Sequence, residues 1–228
     1  MILAAGRGER MLPLTETRPK PLLEVGGKPL IVWQIERLVA AGFEDIVINV
    51  SHLSATLEDA LTNGAAYGAT IRYSREAFPL EVAGGIATAL PLLGDGIVLI
   101  ISADIYTDYH YAGLHSRIEA MAATSEPPHL HMVMVPNPAY HPRGDFVLTD
   151  GRLALDGENR WTFGNIALYR TSLFDDFPRG QKLKMLPHYQ SWIKRGWASA
   201  ELYSGPWANV GTPAELDRLD AMLRTPVR

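Results

Sequence analysis

The stretch that decides the fold is Ile2-Leu3-Ala4-Ala5 followed by Gly6-Arg7-Gly8-Glu9-Arg10-Met11. Its first four residues are apolar and predict a short buried strand, which enters a loop at Gly6. Glycines let a backbone approach a ligand closely, and the amides of such a turn can wrap anionic oxygens. The stretch therefore predicts an α/β fold with an anion site at the end of its first strand.

Two basic residues add to this anion hypothesis. Arg10 offers a planar fork of donors that suits phosphate, and Lys20 adds a compact charge between Pro19 and Pro21, which fix its backbone. Two common phosphate motifs do not fit, since Met11 stands at the third glycine of the dinucleotide fingerprint and no Gly-Lys-Ser/Thr follows. From these residues alone, a plain turn between a strand and a helix remains the alternative.

Short apolar runs alternate with amphipathic segments through the first half, which predicts βα units and a parallel sheet. The clearest strand ends in Ser102-Ala103-Asp104, and ligands collect at the carboxyl ends of parallel strands, so Asp104 is a candidate site residue. The predicted elements are strand Ile2–Ala5, helix Leu30–Val39, strand Ile46–Val50, helix Leu53–Leu61, strand Thr70–Tyr73, helix Ile86–Leu93 and strand Ile97–Ile101.

After about residue 110 the pattern becomes more antiparallel, with a hairpin predicted around Thr149-Asp150-Gly151. We predict one domain, 1–228, with a Rossmann-like, mainly parallel mixed sheet, helices on both faces and a small antiparallel insertion in the second half. Its predicted elements are helix Tyr111–Met121, strands Leu130–Val135, Phe146–Leu148, Arg152–Leu155 and Gly164–Tyr169, helix Met185–Arg195, strand Ala198–Tyr203 and a helix from Pro213.

Composition excludes several classes of protein. The 228 residues are 47% hydrophobic and 20% charged, which argues against disorder. With 21 Lys+Arg against 25 Asp+Glu the net charge is −4, so we expect neither nucleic acid nor a membrane surface as a partner. The absence of Cys excludes disulfides, thiolate zinc sites and a cysteine nucleophile. No membrane-length apolar run or signal-peptide pattern is present, so we expect a cytoplasmic protein.

The glycine loop and Lys20 together resemble the signature of the sugar-1-phosphate nucleotidylyltransferase family. The resemblance is greatest to the branch that transfers a uridylyl group from UTP to N-acetylmuramate 1-phosphate in bacterial cell-wall recycling. The matching segments are Leu3–Met11, Pro13–Thr15, Pro19–Leu22, Ile71–Ser74 with Glu76, Pro79–Glu81, Gly84–Ile86, Ala89–Asp95, Thr107–Tyr109, Asn137-Pro138, Gly144–Phe146, Thr162-Phe163 and Val210–Thr212.

The resemblance implies attack by a sugar phosphate on the α-phosphorus of a nucleoside triphosphate, with release of pyrophosphate. A phosphate monoester is largely dianionic at neutral pH, so this reaction needs positioning and charge neutralisation rather than a strong general base. Arg10 and the loop amides are then expected to hold the triphosphate, and Lys20 to bridge the two reacting phosphates. The implied nucleotide-binding positions are Leu3, Ala4, Ala5, Gly6, Arg7, Gly8, Glu76 and Gly84, the last two beside the base.

The resemblance also implies Mg²⁺, bound by Asp104 and by the residue at position 209. Here the chain departs from the family pattern, because Trp207-Ala208-Asn209-Val210-Gly211-Thr212 has Asn where the family has Asp. We hypothesise that the metal is held more weakly and arrives chiefly with the nucleotide. A further nearby carboxylate, Asp108, is expected to cap a helix that begins at Tyr109.

The family implies a nucleotide-binding half at about 1–110 and a sugar-binding half at about 111–228. The Glu-Lys-Pro motif of glucose-type relatives is absent, and Arg143 or Arg160 is a candidate partner for a lactyl carboxylate. Open alternatives are mannose 1-phosphate or glucose 1-phosphate with GTP, dTTP or UTP, or a catalytically weak regulatory subunit, and a monomer or homodimer is expected. The implied sugar-binding residues are Asn137, Gly144, Asp145, Thr162 and Asn165.

Overall fold

The computed structural model describes residues 1–225, within which two compact units are distinguished. Unit 1 comprises Met1–Leu80, Ser102–Ala112 and the residues from Pro206 onward, whereas unit 2 comprises Glu81–Ile101 and Gly113–Gly205. The single domain over residues 1–228 stays a prediction.

The strands and helices alternate through most of the chain, and the fold is the predicted Rossmann-like α/β type with a mixed sheet. The strands are β1 (Ile2–Leu3), β2 (Glu24–Val25), β3 (Lys28–Pro29), β4 (Asp45–Val50), β5 (Thr70–Arg75), β6 (Ile97–Ser102), β7 (Ile105–Thr107), β8 (Leu130–Val135), β9 (Phe146–Thr149), β10 (Arg152–Ala154), β11 (Arg160–Arg170), β12 (Ala198–Leu202) and β13 (Trp207–Asn209). The helices are α1 (Leu30–Ala40), α2 (Ser54–Leu61), α3 (Glu81–Leu93), α4 (Leu114–Ala122), α5 (Leu186–Lys194) and α6 (Pro213–Arg224).

In unit 1, β4 lies between β1 and β5, and both pairings are parallel. Leu3 of β1 is opposite Asn49 of β4, which is in turn opposite Ser74 of β5. The strand β4 is buried from Ile46 to Val50, as its apolar run predicts. This parallel arrangement brings the ends of β1, β4 and β5 to one edge.

A hydrophobic cluster in unit 1 fixes the segments that carry the site. Its buried members come from the chain between β1 and β2, from β2, from α1, from β7 and from the chain after β13. Burial of such side chains contributes about 1.5–3 kcal/mol each, so the cluster ties together parts of the chain that are distant in sequence. The members are Met11, Leu23, Val25, Leu30, Tyr106, Val210 and Leu219.

In unit 2 the antiparallel part is larger than the predicted hairpin. The hairpin exists, with β9 and β10 joined at Asp150 and Gly151, which both have positive φ. However, the 11-residue β11 also pairs antiparallel with β6, β8 and β9. Its register shifts between Phe163 and Ala167, and Asn165 in this bulge has a φ of 58°.

Most predicted elements are confirmed with small shifts in their bounds, and Leu130–Val135 is confirmed without a shift. The largest differences are α3, which begins at Glu81 rather than Ile86, and β11, which begins at Arg160 rather than Gly164. The helix α4 begins at Leu114, after a 3-10 turn at Tyr111–Gly113. None of the helices within residues 1–225 has the length and apolar character needed to cross a bilayer.

Candidate active site

The glycine loop is shaped around Gly8 and supported by Thr15. Gly8 has a φ of 65°, and the buried Thr15 donates its hydroxyl to the Gly8 carbonyl at 2.9 Å. A Cβ at Gly8 would lie 3.0 Å from Thr15 Cγ2 and 3.2 Å from Lys20 Cβ. Glycine is therefore required both for the turn and for the close approach of the Lys20 stem.

Lys20 and Asp104 form an ion pair although they are far apart in sequence. Lys20 Nζ donates to Asp104 Oδ2 at 2.5 Å, and their side chains are 11% and 29% exposed. Lys20 begins a short 3-10 helix after Pro19, and the buried Leu22 and Leu23 hold this helix in place. The structure thus brings together two of the three residues predicted to be catalytic, in a setting where charge is only partly screened.

Arg10, the third predicted catalytic residue, lies against Gly211. A Cβ at Gly211 would lie 2.8 Å from Arg10 Nη2 and 3.1 Å from its Cζ, so the guanidinium covers the bare Cα. Met11 and Val210, the neighbours of these two residues, are both fully buried in the unit 1 cluster. The Gly211 amide also donates to Glu215 Oε2 at 2.7 Å, which fixes this segment at the start of α6.

Replacing Gly211 by alanine is expected to leave the fold intact and displace the Arg10 guanidinium. The new methyl meets the end of a flexible side chain, so we expect an unchanged melting temperature and about a tenfold rise in KM for the nucleotide, or roughly 1.4 kcal/mol. Steady-state kinetics measure this effect.

The control for that variant is Gly113→Ala, since a Cβ there meets nothing within 4 Å. In an Arg10→Ala background Gly211→Ala should cost little, because the two residues act as one unit. An equal loss in both backgrounds would contradict the assignment.

Asp104 and Asn209 are neighbours across a two-stranded ladder. Asn209 of β13 is opposite Ile105 of β7, and the Val210 amide donates to the Asp104 carbonyl at 2.8 Å. The Asn209 side-chain oxygen is buried and has no hydrogen-bond partner among residues 1–225. A buried oxygen without a partner, on a residue that pairs with the neighbour of Asp104, suits a cation. Within the same residues no cluster of three or more His, Asp or Glu side chains forms a metal site.

The predicted base-side residue Glu76 is buried within unit 1. Its Oε1 accepts from Asn49 Nδ2 at 2.7 Å, and its Oε2 accepts from the Leu80 amide at 2.9 Å. Burial raises the pKa of Glu76, and these two hydrogen bonds oppose the rise. Each oxygen of this carboxylate therefore accepts a hydrogen bond from within the protein.

The other predicted nucleotide-binding residues divide between the two units. Leu3 ends β1, and its carbonyl accepts from the Ala103 amide at 3.0 Å, which ties the strand to the residue before Asp104. Gly84 lies in α3 of unit 2, where its amide donates to the Leu183 carbonyl. The residues of the unit 1 loop that follow Leu3 are Ala4, Ala5, Gly6, Arg7 and Gly8.

Four of the predicted sugar-binding residues lie close together in unit 2, and three of them form side-chain hydrogen bonds there. Thr162 Oγ1 donates to Asn137 Oδ1 at 2.9 Å, and Asn137 Nδ2 donates to the Arg160 carbonyl at 2.9 Å. Asp145 Oδ2 accepts from the Phe163 amide at 2.8 Å. At Gly144, with a φ of 59°, a Cβ would lie 2.7 Å from Asn137 Oδ1, so a glycine is required there.

Arg160 and Asp108 have partners other than those predicted. The Arg160 guanidinium donates to the backbone carbonyls of Leu155 and Asp145. Arg143, which is exposed, is therefore the better candidate partner for a lactyl carboxylate. The predicted cap at Asp108 is wrong. Its carboxylate accepts from Arg37 Nη2 at 2.5 Å, and the helical turn begins only at Tyr111.

Sequence reasoning missed Asn49 as a residue of the site. It accepts from the Ala4 amide at 2.8 Å while donating to Glu76, and it lies in β4, which is otherwise apolar from Ile46 to Val50. A lone amide in the run Ile46-Val47-Ile48-Asn49-Val50 is a signal that such a buried polar group forms specific hydrogen bonds.

The chain is similar in sequence to several known proteins. The Nucleotidyl transferase family profile matches residues 1–138. An N-acetylmuramate alpha-1-phosphate uridylyltransferase from Neisseria meningitidis serogroup B is 44% identical, over 97% of this chain and 96% of its own. A protein of the same name from Caulobacter vibrioides is 32% identical, over 93% of this chain and 91% of its own.

Among solved structures, a protein from Bacillus anthracis assigned as a glucose-1-phosphate thymidylyltransferase, crystallised with sucrose, has a TM-score of 0.84. The match covers 100% of this chain and 95% of the other at 20% sequence identity. At 20% identity this similarity shows a shared fold and nothing more.

Proposed function

Because the chain belongs to the nucleotidyl transferase family, we propose that it transfers a uridylyl group from UTP to N-acetylmuramate 1-phosphate, giving UDP-N-acetylmuramate and pyrophosphate. The observation that carries this proposal is the 44% identity to the Neisseria uridylyltransferase over nearly the whole length of both chains. A role in peptidoglycan recycling in the cytoplasm, as a monomer or homodimer, belongs to the same proposal.

The site residues of unit 1 suit a reaction between two anions. A sugar phosphate oxygen attacks the α-phosphorus, and the bond from that phosphorus to the bridging oxygen of pyrophosphate breaks. The attacking phosphate is already a dianion, so no residue has to remove a proton from it. Lys20 would neutralise the α-phosphate and the incoming phosphate, while Arg10 and the loop amides would hold the departing pyrophosphate.

We propose a magnesium site at Asp104 and Asn209. One carboxylate and one neutral carbonyl oxygen fit a cation that completes its coordination with phosphate oxygens and water. The buried Asn209 oxygen without a partner in residues 1–225 supports this assignment. When bound, the cation would neutralise charge on the triphosphate and on the transition state.

Replacing Asn209 by aspartate tests the weaker metal binding inferred from this position. A second carboxylate adds one negative charge beside Asp104, so we expect the half-saturating magnesium concentration to fall about tenfold. Turnover against magnesium concentration measures the effect, and titration of the nucleotide-free protein with Mn²⁺ measures it without catalysis. An unchanged half-saturating concentration would contradict the hypothesis.

We propose that the unit 2 cluster around Asn137, Asp145 and Thr162 recognises the sugar. Its side chains are held by one another and by backbone groups, which fixes their positions before a ligand binds. Asn165 would reach the ligand from its bulge in β11, and the exposed Arg143 is the candidate partner of the lactyl carboxylate.

A pyrophosphate-release assay tests the proposed function directly. The assay pairs UTP, GTP and dTTP with N-acetylmuramate, mannose and glucose 1-phosphates. We expect the highest kcat/KM with UTP and N-acetylmuramate 1-phosphate. A better pair among the others would support another branch of the family. Nucleotide binding without magnesium-dependent release for any pair would favour the regulatory subunit.

A further inference from the structure

A buried chain of hydrogen bonds connects the first strand with the segment that follows β5. Asn49 is 4% exposed, and its Oδ1 accepts from the Ala4 amide while its Nδ2 donates to Glu76 Oε1. Asn49 lies in β4, the strand between β1 and β5. One side chain therefore contacts both neighbouring segments where they leave the sheet.

Glu76 completes this chain from the other side. It is 6% exposed, its amide donates to the Val50 carbonyl at 2.8 Å, and its Oε2 accepts from the Leu80 amide. The carboxylate thereby closes the turn from 76 to 80 onto the end of β4. Within residues 1–225 each oxygen already accepts one hydrogen bond from inside the protein, and burial of the side chain limits its access to a ligand.

We propose that Asn49 and Glu76 are positioning residues, which hold the 76–80 turn at a fixed distance from the phosphate loop without touching the base. This inference rests on the proposed function, since it gives the two segments their roles toward one nucleotide. It goes beyond the expectation that Glu76 lies beside the base, because it assigns the Glu76 side chain to contacts within the protein. Positioning of this kind lowers the cost of ordering two loops around one ligand.

The donor and acceptor pattern determines which residues fit. The Ala4 and Leu80 amides are both donors, so the two ends of the chain must be acceptors. Asn49 accepts with its oxygen and donates with its nitrogen, and the Glu76 carboxylate accepts twice. A glutamine at position 76 would place its side-chain NH2 against another donor, either the Asn49 side-chain nitrogen or the Leu80 amide. An aspartate at position 49 would place a carboxylate oxygen against the Glu76 carboxylate.

The pattern predicts that exchanging the amide and the carboxylate between positions 49 and 76 restores the matched donors and acceptors. In the double variant Asn49→Asp with Glu76→Gln, the new aspartate would accept from the Ala4 amide and from the side-chain nitrogen of the new glutamine. The side-chain oxygen of that glutamine would accept from the Leu80 amide. We expect each single variant to lower kcat/KM for UTP about tenfold or more, and the double variant to recover to within about threefold of the wild type.

Three readouts separate positioning from simple stabilisation and from base reading. The losses should fall on KM and Kd for UTP, with KM for the sugar phosphate little changed. The affinities for CTP and dTTP should fall by the same factor as the affinity for UTP. The Asn49→Asp loss should shrink as the pH falls, because two facing carboxylates raise the pKa of the pair and a shared proton relieves their repulsion. Melting temperatures identify variants that are unfolded at the assay temperature.

The matched control is Asn63→Asp, an exposed residue whose Oδ1 accepts from the Ala65 amide and keeps that role as a carboxylate. It should leave all these values unchanged. A double variant that binds UTP no better than the worse single variant would overturn the inference, as would single variants with wild-type values. A selective change in the preference for UTP would also overturn it, in favour of base reading. If the wild type makes no nucleotide sugar, the proposed function fails, but calorimetric measurement of UTP binding by the same variants still tests the positioning role.

Discussion

Replacing Asp104 by asparagine is expected to lower kcat about a thousandfold, or roughly 4 kcal/mol of transition-state stabilisation. The change removes the carboxylate that holds Lys20 Nζ at 2.5 Å and that would supply the negative ligand of the proposed metal site. Both effects act on the reacting phosphates. Steady-state kinetics at saturating UTP and sugar phosphate, over a range of magnesium concentrations, measure the loss.

The control for this variant is Asp108→Asn, which removes a carboxylate from the same stretch of chain. Asp108 pairs with Arg37, so its loss should leave kcat within about threefold of the wild type. A kcat for Asp104→Asn within tenfold of the wild type at every magnesium concentration would contradict the role of Asp104.

Replacing Lys20 by methionine is expected to lower kcat about a hundredfold or more, with a smaller effect on KM for UTP. Methionine keeps much of the stem that packs at Gly8 and removes the ammonium that faces Asp104. The loss should appear in kcat because the charge matters most where the two phosphates meet in the transition state. Single-turnover measurements separate this step from product release.

Lys28→Met is the matched control, because Lys28 pairs with Glu36 and lies over the Trp33 ring. It should retain wild-type kcat. The double variant Lys20→Met with Asp104→Asn should lose less than the product of the two single losses, since each residue acts on the other. Fully multiplicative losses would indicate that the ion pair has no part in catalysis.

The opening loop could be predicted because its information is local. Glycines at 6 and 8, an arginine at 10 and a lysine between two prolines all lie within one short stretch, and each has a conformational or charge signature. Asp104 could be predicted from its place at the end of a clear strand, which is a rule of α/β folds. The ion pair between Lys20 and Asp104 confirms that these segments meet.

The pairings of very short strands could not be predicted. The pairs β2 with β3 and β7 with β13 involve two or three residues a side, which is too short for a periodic pattern. The second pair joins segments far apart in sequence, and together with the Val210–Asp104 hydrogen bond it brings Asn209 near Asp104. The contact between Arg10 and Gly211 also depends on residues far apart in sequence, because Met11 and Val210 beside them pack in one cluster.

Polar residues inside strands account for two further differences. The first part of β11, with Arg160, Thr162 and Asn165, interrupts the apolar pattern, so only Gly164–Tyr169 was predicted as strand. The role of Asn49 could not be predicted for a different reason, because a single amide does not change the apolar pattern of its strand. Asp108 follows the local rule for a cap, but the nearby Arg37 provides a stronger, charged partner.

The measurement that tests the central claim most directly follows the phosphorus atoms of UTP. Wild-type protein is incubated with Mg²⁺ and N-acetylmuramate 1-phosphate and with UTP labelled at either the α- or the γ-phosphorus. Uridylyl transfer places the α label in the UDP-sugar and the γ label in pyrophosphate, in equal amounts. An α label recovered as UMP, a γ label recovered as orthophosphate, or label that stays in UTP would contradict it.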